Sequence, residues 1–190
     1  MPIAFAVAAA IVGVCDASHA QKTAPANVDN SARLDIRITP SSPVRLGSQL
    51  QLIVSTRQRG YLVVLAVDPT GDVKQIFPSI TGDGLPYGAT DQTNALKPGR
   101  PMMVPDPANV LANFELFAAA TGTSAVIAVL SPIPVQLVSL TELPSASADV
   151  PTVVQNVFDM VKSLRVAPRN ERAALAAPRW SMMAVSYQVE

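Results

Sequence analysis

Thiol and imidazole are nearly missing from this sequence: its 190 residues hold one cysteine, Cys15, and one histidine, His19, both within the first twenty positions. A disulfide inside the chain needs two thiols, so fold stability has to come from burial. Beyond residue 20 there is no part from which a cysteine nucleophile, a Ser-His-Asp triad or a thiolate or imidazole metal site is built. Charge is also sparse, with 14 basic and 14 acidic residues making 15% of the chain. That balance leaves no broad field to hold nucleic acid or an anionic membrane surface, and neither is expected as a partner. Aromatics are 5%, with Trp180 the one tryptophan. A sugar-stacking platform needs aromatic neighbours, so Trp180 reads as an anchor in the core. What is plentiful is apolar surface: 49% of residues are hydrophobic, which excludes disorder and suits a domain with a real core.

The apolar run Ile3–Val14 has the length of a signal-peptide core and is too short for a bilayer interior of roughly 30 Å. Ser18-His19-Ala20 supplies the small residues that a signal peptidase accepts, so residues 1–20 read as a signal peptide cleaved before Gln21. No Lys or Arg precedes the run. The alternatives are a lipid anchor on Cys15, for which Val14 is a poor preceding residue, and a buried N-terminal helix. Cleavage removes both Cys15 and His19. The expected location is therefore outside the cytoplasm, in the periplasm or beyond, with a polar tether over 21–31 and a single domain over 32–190.

Within that domain the strongest local signal is Gly60–Ser79, GYLVVLAVDPTGDVKQIFPS. Two β-branched runs flank Asp68-Pro69-Thr70-Gly71-Asp72, whose proline and glycine suit a tight reversal, and the segment predicts a β-hairpin. Leu34, Ile36 and Ile38 alternate with polar residues and predict a half-buried strand stopped by Pro40. A second strand is expected over Gln49–Thr56, and a short edge strand over Pro101–Val104, where flanking prolines cannot donate to a ladder. Phe114–Ala119 and Ala125–Leu130 are expected to pair across a Thr121-Gly122-Thr123 turn. Pro132 and Pro134 break the apolar stretch that runs on to Leu140, so no spanning helix is predicted there.

One helix is predicted late in the chain. Asp149 is placed to cap it and Pro151 suits its first turn. Val153, Val154, Val157, Phe158, Val161 and Leu164 recur at helical spacing, with Lys162 and Arg165 near its end. The stripe reads as packed on the sheets; the competing reading is a partner-binding face. A short second helix is expected over Arg169–Arg179, and a last strand carries Met183, Val185, Tyr187 and Val189. The sum is an all-β fold: an immunoglobulin-like β-sandwich of about eight short strands with one helical insertion, about 150–177, before the final strand.

The hairpin, followed by Leu96-Lys97-Pro98-Gly99, Met103-Val104-Pro105, Asn113-Phe114-Glu115-Leu116 and Ala125-Val126-Ile127-Ala128-Val129-Leu130, resembles the bacterial family called domain of unknown function 4384, over about Ser42–Pro132. The resemblance implies a module of bacterial envelope proteins without assigned catalytic residues, and it brings no cofactor.

Two functions follow as expectations. The first is a non-catalytic exported module that binds another envelope protein by shape or strand addition, with Arg57, Arg59, Asp83, Tyr87 and Asp91 as candidate partner contacts on turns and on the long loop Ser79–Asn94. Arg45 is grouped with Arg57 and Arg59 as a basic end of the sandwich. The alternative is a hydrolase of envelope polysaccharide or peptidoglycan working through two carboxylates, drawn from Asp68, Asp72, Asp83, Asp91, Asp106 and Glu115. No metal or cofactor is expected. Calcium is the one ion left open, since Asp68 and Asp72 at the hairpin turn and Asp83 and Asp91 in the long loop offer oxygen ligands, but their spacing matches no full calcium loop.

Overall fold

The structure is a computed structural model, described over residues 29–79, 94–109, 112–135, 149–163 and 180–190. Along the chain come β1 (Asp35–Thr39), β2 (Gln51–Ser55), β3 (Gly60–Val67), β4 (Val73–Phe77), β5 (Ala95–Leu96), β6 (Met102–Val104), β7 (Gly122–Ser131), the helix α1 (Val150–Ser163) and β8 (Ser181–Val189). The strands form two antiparallel sheets, one in the order β1-β2-β6 and the other in the order β4-β3-β7-β8, with β5 also on β3. A mostly β, sandwich-like protein with a helix before its last strand is what the sequence predicts.

The layers follow from two kinds of strand pattern. In β1 and β2 apolar and polar residues alternate, so Ile36, Leu52 and Val54 point inward while Arg37 and Gln51 face water. Their partners across the core are Leu62, Val64, Val126, Ala128, Leu130, Met183 and Val185 of β3, β7 and β8. Those three strands do not alternate, because their second face is buried too. Val63, Leu65, Val67, Ala125, Ile127, Val129, Met182 and Ala184 meet Val153, Val154, Val157, Phe158 and Val161 of α1. Continuous apolar runs such as Leu62–Leu65 and Ala125–Leu130 are the signature of strands covered on both faces. The molecule therefore has three layers: sheet, sheet and helix. Each fully buried Val or Phe of α1 contributes roughly 1.5–3 kcal/mol relative to exposure, which is what holds a single helix in place.

The ends of these elements are set by local chemistry. Asp149 Oδ1 accepts the Thr152 N–H at 2.8 Å, capping α1 as predicted. The Thr152 side chain and backbone, hydrogen-bonded to Asp149, hold its carboxyl below the usual value. In the β3–β4 turn the Asp68 N–H donates to the Asp72 carbonyl at 3.0 Å, and Gly71 takes a φ of 87° that side chains rarely adopt. Trp180 is buried in the helix–sheet layer, as its core reading requires. The peptide bonds before Pro40, Pro43, Pro78 and Pro105 are cis, three of them at the ends of β1, β4 and β6.

One expected pairing is overturned. Phe114–Ala119 does not pair with Ala125–Leu130. Instead Phe117 bridges Gln49, the Leu50 N–H donates to the Leu116 carbonyl at 2.7 Å, and the Ala118 N–H donates to Ser48 at 3.0 Å. The reason is occupancy: β7 has β3 along one edge and β8 along the other, so neither edge remains for a local hairpin. Gly122, φ 119°, opens β7 and does not turn a hairpin. The strand is ten residues long and ends at Ser131, just before Pro132. Residues 1–28, the predicted second helix over Arg169–Arg179 and the remainder of the helical insertion lie outside the described residues. Among the described residues, no helix is long and apolar enough to cross a membrane.

Candidate functional site

Three turns meet at one end of the sandwich, and strand register brings them there. Asp35 pairs with Ser55, Val54 with Met102, and Gly60 with Leu96. The segment entering β1, the β2–β3 turn and the β5–β6 turn therefore share that end. They carry five cations: Arg33, Arg57, Arg59, Lys97 and Arg100. Between them lies an open groove of about 520 Å³ lined by Asn30, Arg33, Asp35, Thr56, Arg57 and Gly99, among others.

Hydrogen bonds between the turns fix its walls. The Ala32 carbonyl accepts both the Arg57 N–H at 2.9 Å and the Thr56 hydroxyl at 3.1 Å. Gln58 Nε2 donates to the Ser31 carbonyl at 3.1 Å, a second tie between the same two turns. Asn30 clamps the other side, accepting the Leu34 N–H at 2.7 Å and donating to the Leu34 carbonyl at 3.0 Å. Ser181 of β8 donates to Asn30 Oδ1 at 3.2 Å and accepts the Ala32 N–H at 3.0 Å. Inside this clamp Arg33 has a φ of 53°, the one left-handed residue other than glycine among those described. For an L-residue that conformation costs about 1–2 kcal/mol, which the surrounding bonds offset.

The guanidinium groups of Arg33 and Arg57 are exposed, and among the described residues neither has an ion-pair partner. Asp35, the one carboxylate in the lining, pairs with Arg37 at 3.4 Å. Of the candidate contacts named from sequence, Arg57 lines the groove and Arg59 is exposed on the same turn. Asp83, Tyr87 and Asp91 lie outside the described residues. Arg45 does not join this end: the neighbouring Val44 and Leu46 bond the far end of β8, at Gln188 and Glu190. Arg33, just ahead of β1, takes its place beside Arg57.

Of the carboxylates named for catalysis, Asp68, Asp106 and Glu115 are occupied locally or kept apart, while Asp83 and Asp91 lie outside the described residues. Asp68 Oδ1 accepts three bonds, from the Thr70 N–H at 2.8 Å, the Thr70 hydroxyl at 2.6 Å and the Asp72 N–H at 3.0 Å. Partial burial pushes its carboxyl up, but those bonds and the Lys74 charge outweigh burial and leave it below the usual value. Asp106 accepts the Ala108 N–H at 2.9 Å and lines a groove of about 300 Å³ with Lys97 and Arg100. Glu115 lines a different groove, about 720 Å³, with Gln49, Gln51, Asn113 and Phe114. A fourth, about 200 Å³, lies between β1 and β8 and is walled by Ile36, Ile38, Val185 and Tyr187. Burial pushes the Tyr187 hydroxyl up, and its bond to Ser124 offsets part of that. Among the described residues no three His, Cys, Asp or Glu side chains gather closely enough to hold a metal ion.

The described residues thus form a β-rich, sandwich-like domain with a helical cover on its second sheet. Residues 43–134, 92 of the 190, match the family model described as Domain of unknown function (DUF4384). The match runs from just before Val44 through β7 and stops ahead of α1, so the helix and β8 lie beyond it. No curated protein matches the chain, and no solved structure matches it.

Proposed function

We propose that this chain is a non-catalytic module, exported to the bacterial envelope, that works by binding another protein through the turns at the Arg57 end of the sandwich. The observation that carries the reading is the pairing of Arg33 and Arg57 on rigid, cross-bonded turns, with both guanidinium groups exposed. Binding surfaces are commonly loops held by a rigid scaffold. A carboxylate hydrolase needs two acidic groups facing one cleft. Of the four grooves formed by the described residues, one contains no carboxylate and the other three contain one each. The strand orders also support an immunoglobulin-like reading, with β1, β2 and β6 as one sheet and the β3–β4 hairpin beside β7 and β8 as the other.

The test has two arms. Mass spectrometry of the protein recovered from cells checks export, with an N-terminus at Gln21 expected. Photo-crosslinking from positions 57 and 59 in envelope preparations is expected to yield a discrete adduct with one protein, absent when the crosslinker is placed at Arg45. Release of reducing ends from envelope polysaccharide or peptidoglycan by the purified protein would replace this reading with the hydrolase.

A further inference from the structure

We propose that the groove between Arg33 and Arg57 receives an acidic segment of the partner protein, whose Asp or Glu carboxylates bind the two guanidinium groups. This rests on the reading of the chain as a contact module and adds the chemistry of what it contacts. Arginine presents a planar fork of donors that matches a carboxylate with two parallel bonds. Here two such forks rise from turns bound to each other through Ala32 and Ser31, so the backbone that carries them is fixed before binding. Arg59 stands on the same turn as Arg57, and Lys97 and Arg100 on the β5–β6 turn, which makes the approach to the groove positive although the chain as a whole is neutral.

The lining also argues against a dense polyanion. Asp35 sits in the groove wall, Asp29 lies on the adjoining turn, and Asn30, Ser55 and Thr56 supply neutral polar groups. A phosphate backbone or a charged lipid surface would press uniform negative charge onto those two carboxylates. A short acidic peptide places separate carboxylates on Arg33 and Arg57 and leaves its remaining groups in solvent. At about 520 Å³ the groove suits a few residues of extended chain and no folded domain.

The experiment uses the whole protein and three probes: a fluorescently labelled tetraglutamate peptide, the tetraglutamine peptide, and phosphatidylglycerol vesicles. Tetraglutamate is expected to bind, more weakly as salt rises, while tetraglutamine does not. The double variant Arg33→Gln/Arg57→Gln is expected to weaken tetraglutamate at least about tenfold, from the loss of two charge-assisted contacts. Arg57→Lys is expected to fall between, since charge stays and the fork is lost. Arg45→Gln, at the other end, is expected to bind as the unaltered protein does. Both altered arginines are exposed, so an unchanged melting temperature is expected to accompany the loss.

Equal binding of tetraglutamate by the double variant overturns the proposal, as does an absence of tetraglutamate binding. So does Arg33- and Arg57-dependent binding of the vesicles in preference to the peptide, which would make the site a membrane contact. None of these results removes a crosslinked partner at positions 57 and 59, so the contact-module reading fails or survives separately.

Discussion

Gly60 and Leu130 approach so closely where β3 meets β7 that a Cβ on the glycine would lie 2.6 Å from the leucine Cγ. It would also lie 2.7 Å from the Ser131 carbonyl oxygen, and backbone in a paired strand cannot move aside. Gly60→Ala is therefore expected to destabilise the fold by about 1–3 kcal/mol through overpacking. Urea unfolding would register this as a lower midpoint with an unchanged slope. A midpoint equal to that of the unaltered protein would mean the strands are farther apart than this.

The helical layer can be tested from its centre. Phe158 is 1% exposed and shares its cluster with Trp180. Phe158→Ala is expected to cost about 3–5 kcal/mol and to leave a cavity under α1. Because Trp180 is the only tryptophan, its emission reports on that layer alone. A red shift on moderate heating, ahead of the main unfolding transition, is expected in the variant and not in the parent.

Asp68 predicts a pH dependence with a definite sign. Its folded carboxyl lies below the unfolded value of 3.8, so its contribution is present above that value and is lost as pH falls through the folded value. Asp68→Ala should therefore be less stable than the parent at neutral pH, with the gap closing in acid. The carboxyl is mostly solvated, so the difference is small. Chemical unfolding of both proteins at pH 7 and pH 3 measures it; a gap that widens in acid contradicts the turn bonds described.

Asn94 is fully buried, and its Nδ2 donates to the Leu62 carbonyl at 3.1 Å and the Val135 carbonyl at 2.7 Å. It ties the start of β5 to β3 and to the chain just past β7. Asn94→Ala is expected to cost about 1–3 kcal/mol by leaving buried carbonyls without donors. Asn94→Asp is expected to be worse at neutral pH, where a carboxylate would face two carbonyl oxygens, and to recover as pH falls and the acid form donates in place of the amide. Melting temperatures of the Asp variant that rise on acidification, relative to the parent, would establish this.

What could be read along the chain was whatever depends on a few neighbouring residues. The Asp68–Asp72 reversal, the Asp149 cap, the strand stops at Pro40 and Pro132, and the helical stripe of α1 all rest on local dihedral preference or on periodicity. The lack of thiol and imidazole after residue 20 is likewise a property of composition alone. The continuous runs in β3 and β7 already carried a further message, that both faces are covered.

Only tertiary structure decided which strand each edge accepts. Phe114–Ala119 has a plausible neighbour in Ala125–Leu130, but β3 and β8 take both edges of β7, and 116–118 bond the segment 48–50 that leads into β2. The same is true of the groove. Arg33 and Arg57 are 24 positions apart, and no local pattern links them; they meet because β1 and β2 pair and the Ala32 carbonyl takes the Arg57 N–H. Short-range sterics choose a conformation for each segment, whereas its partners are chosen by competition for buried area and backbone hydrogen bonds across the whole chain.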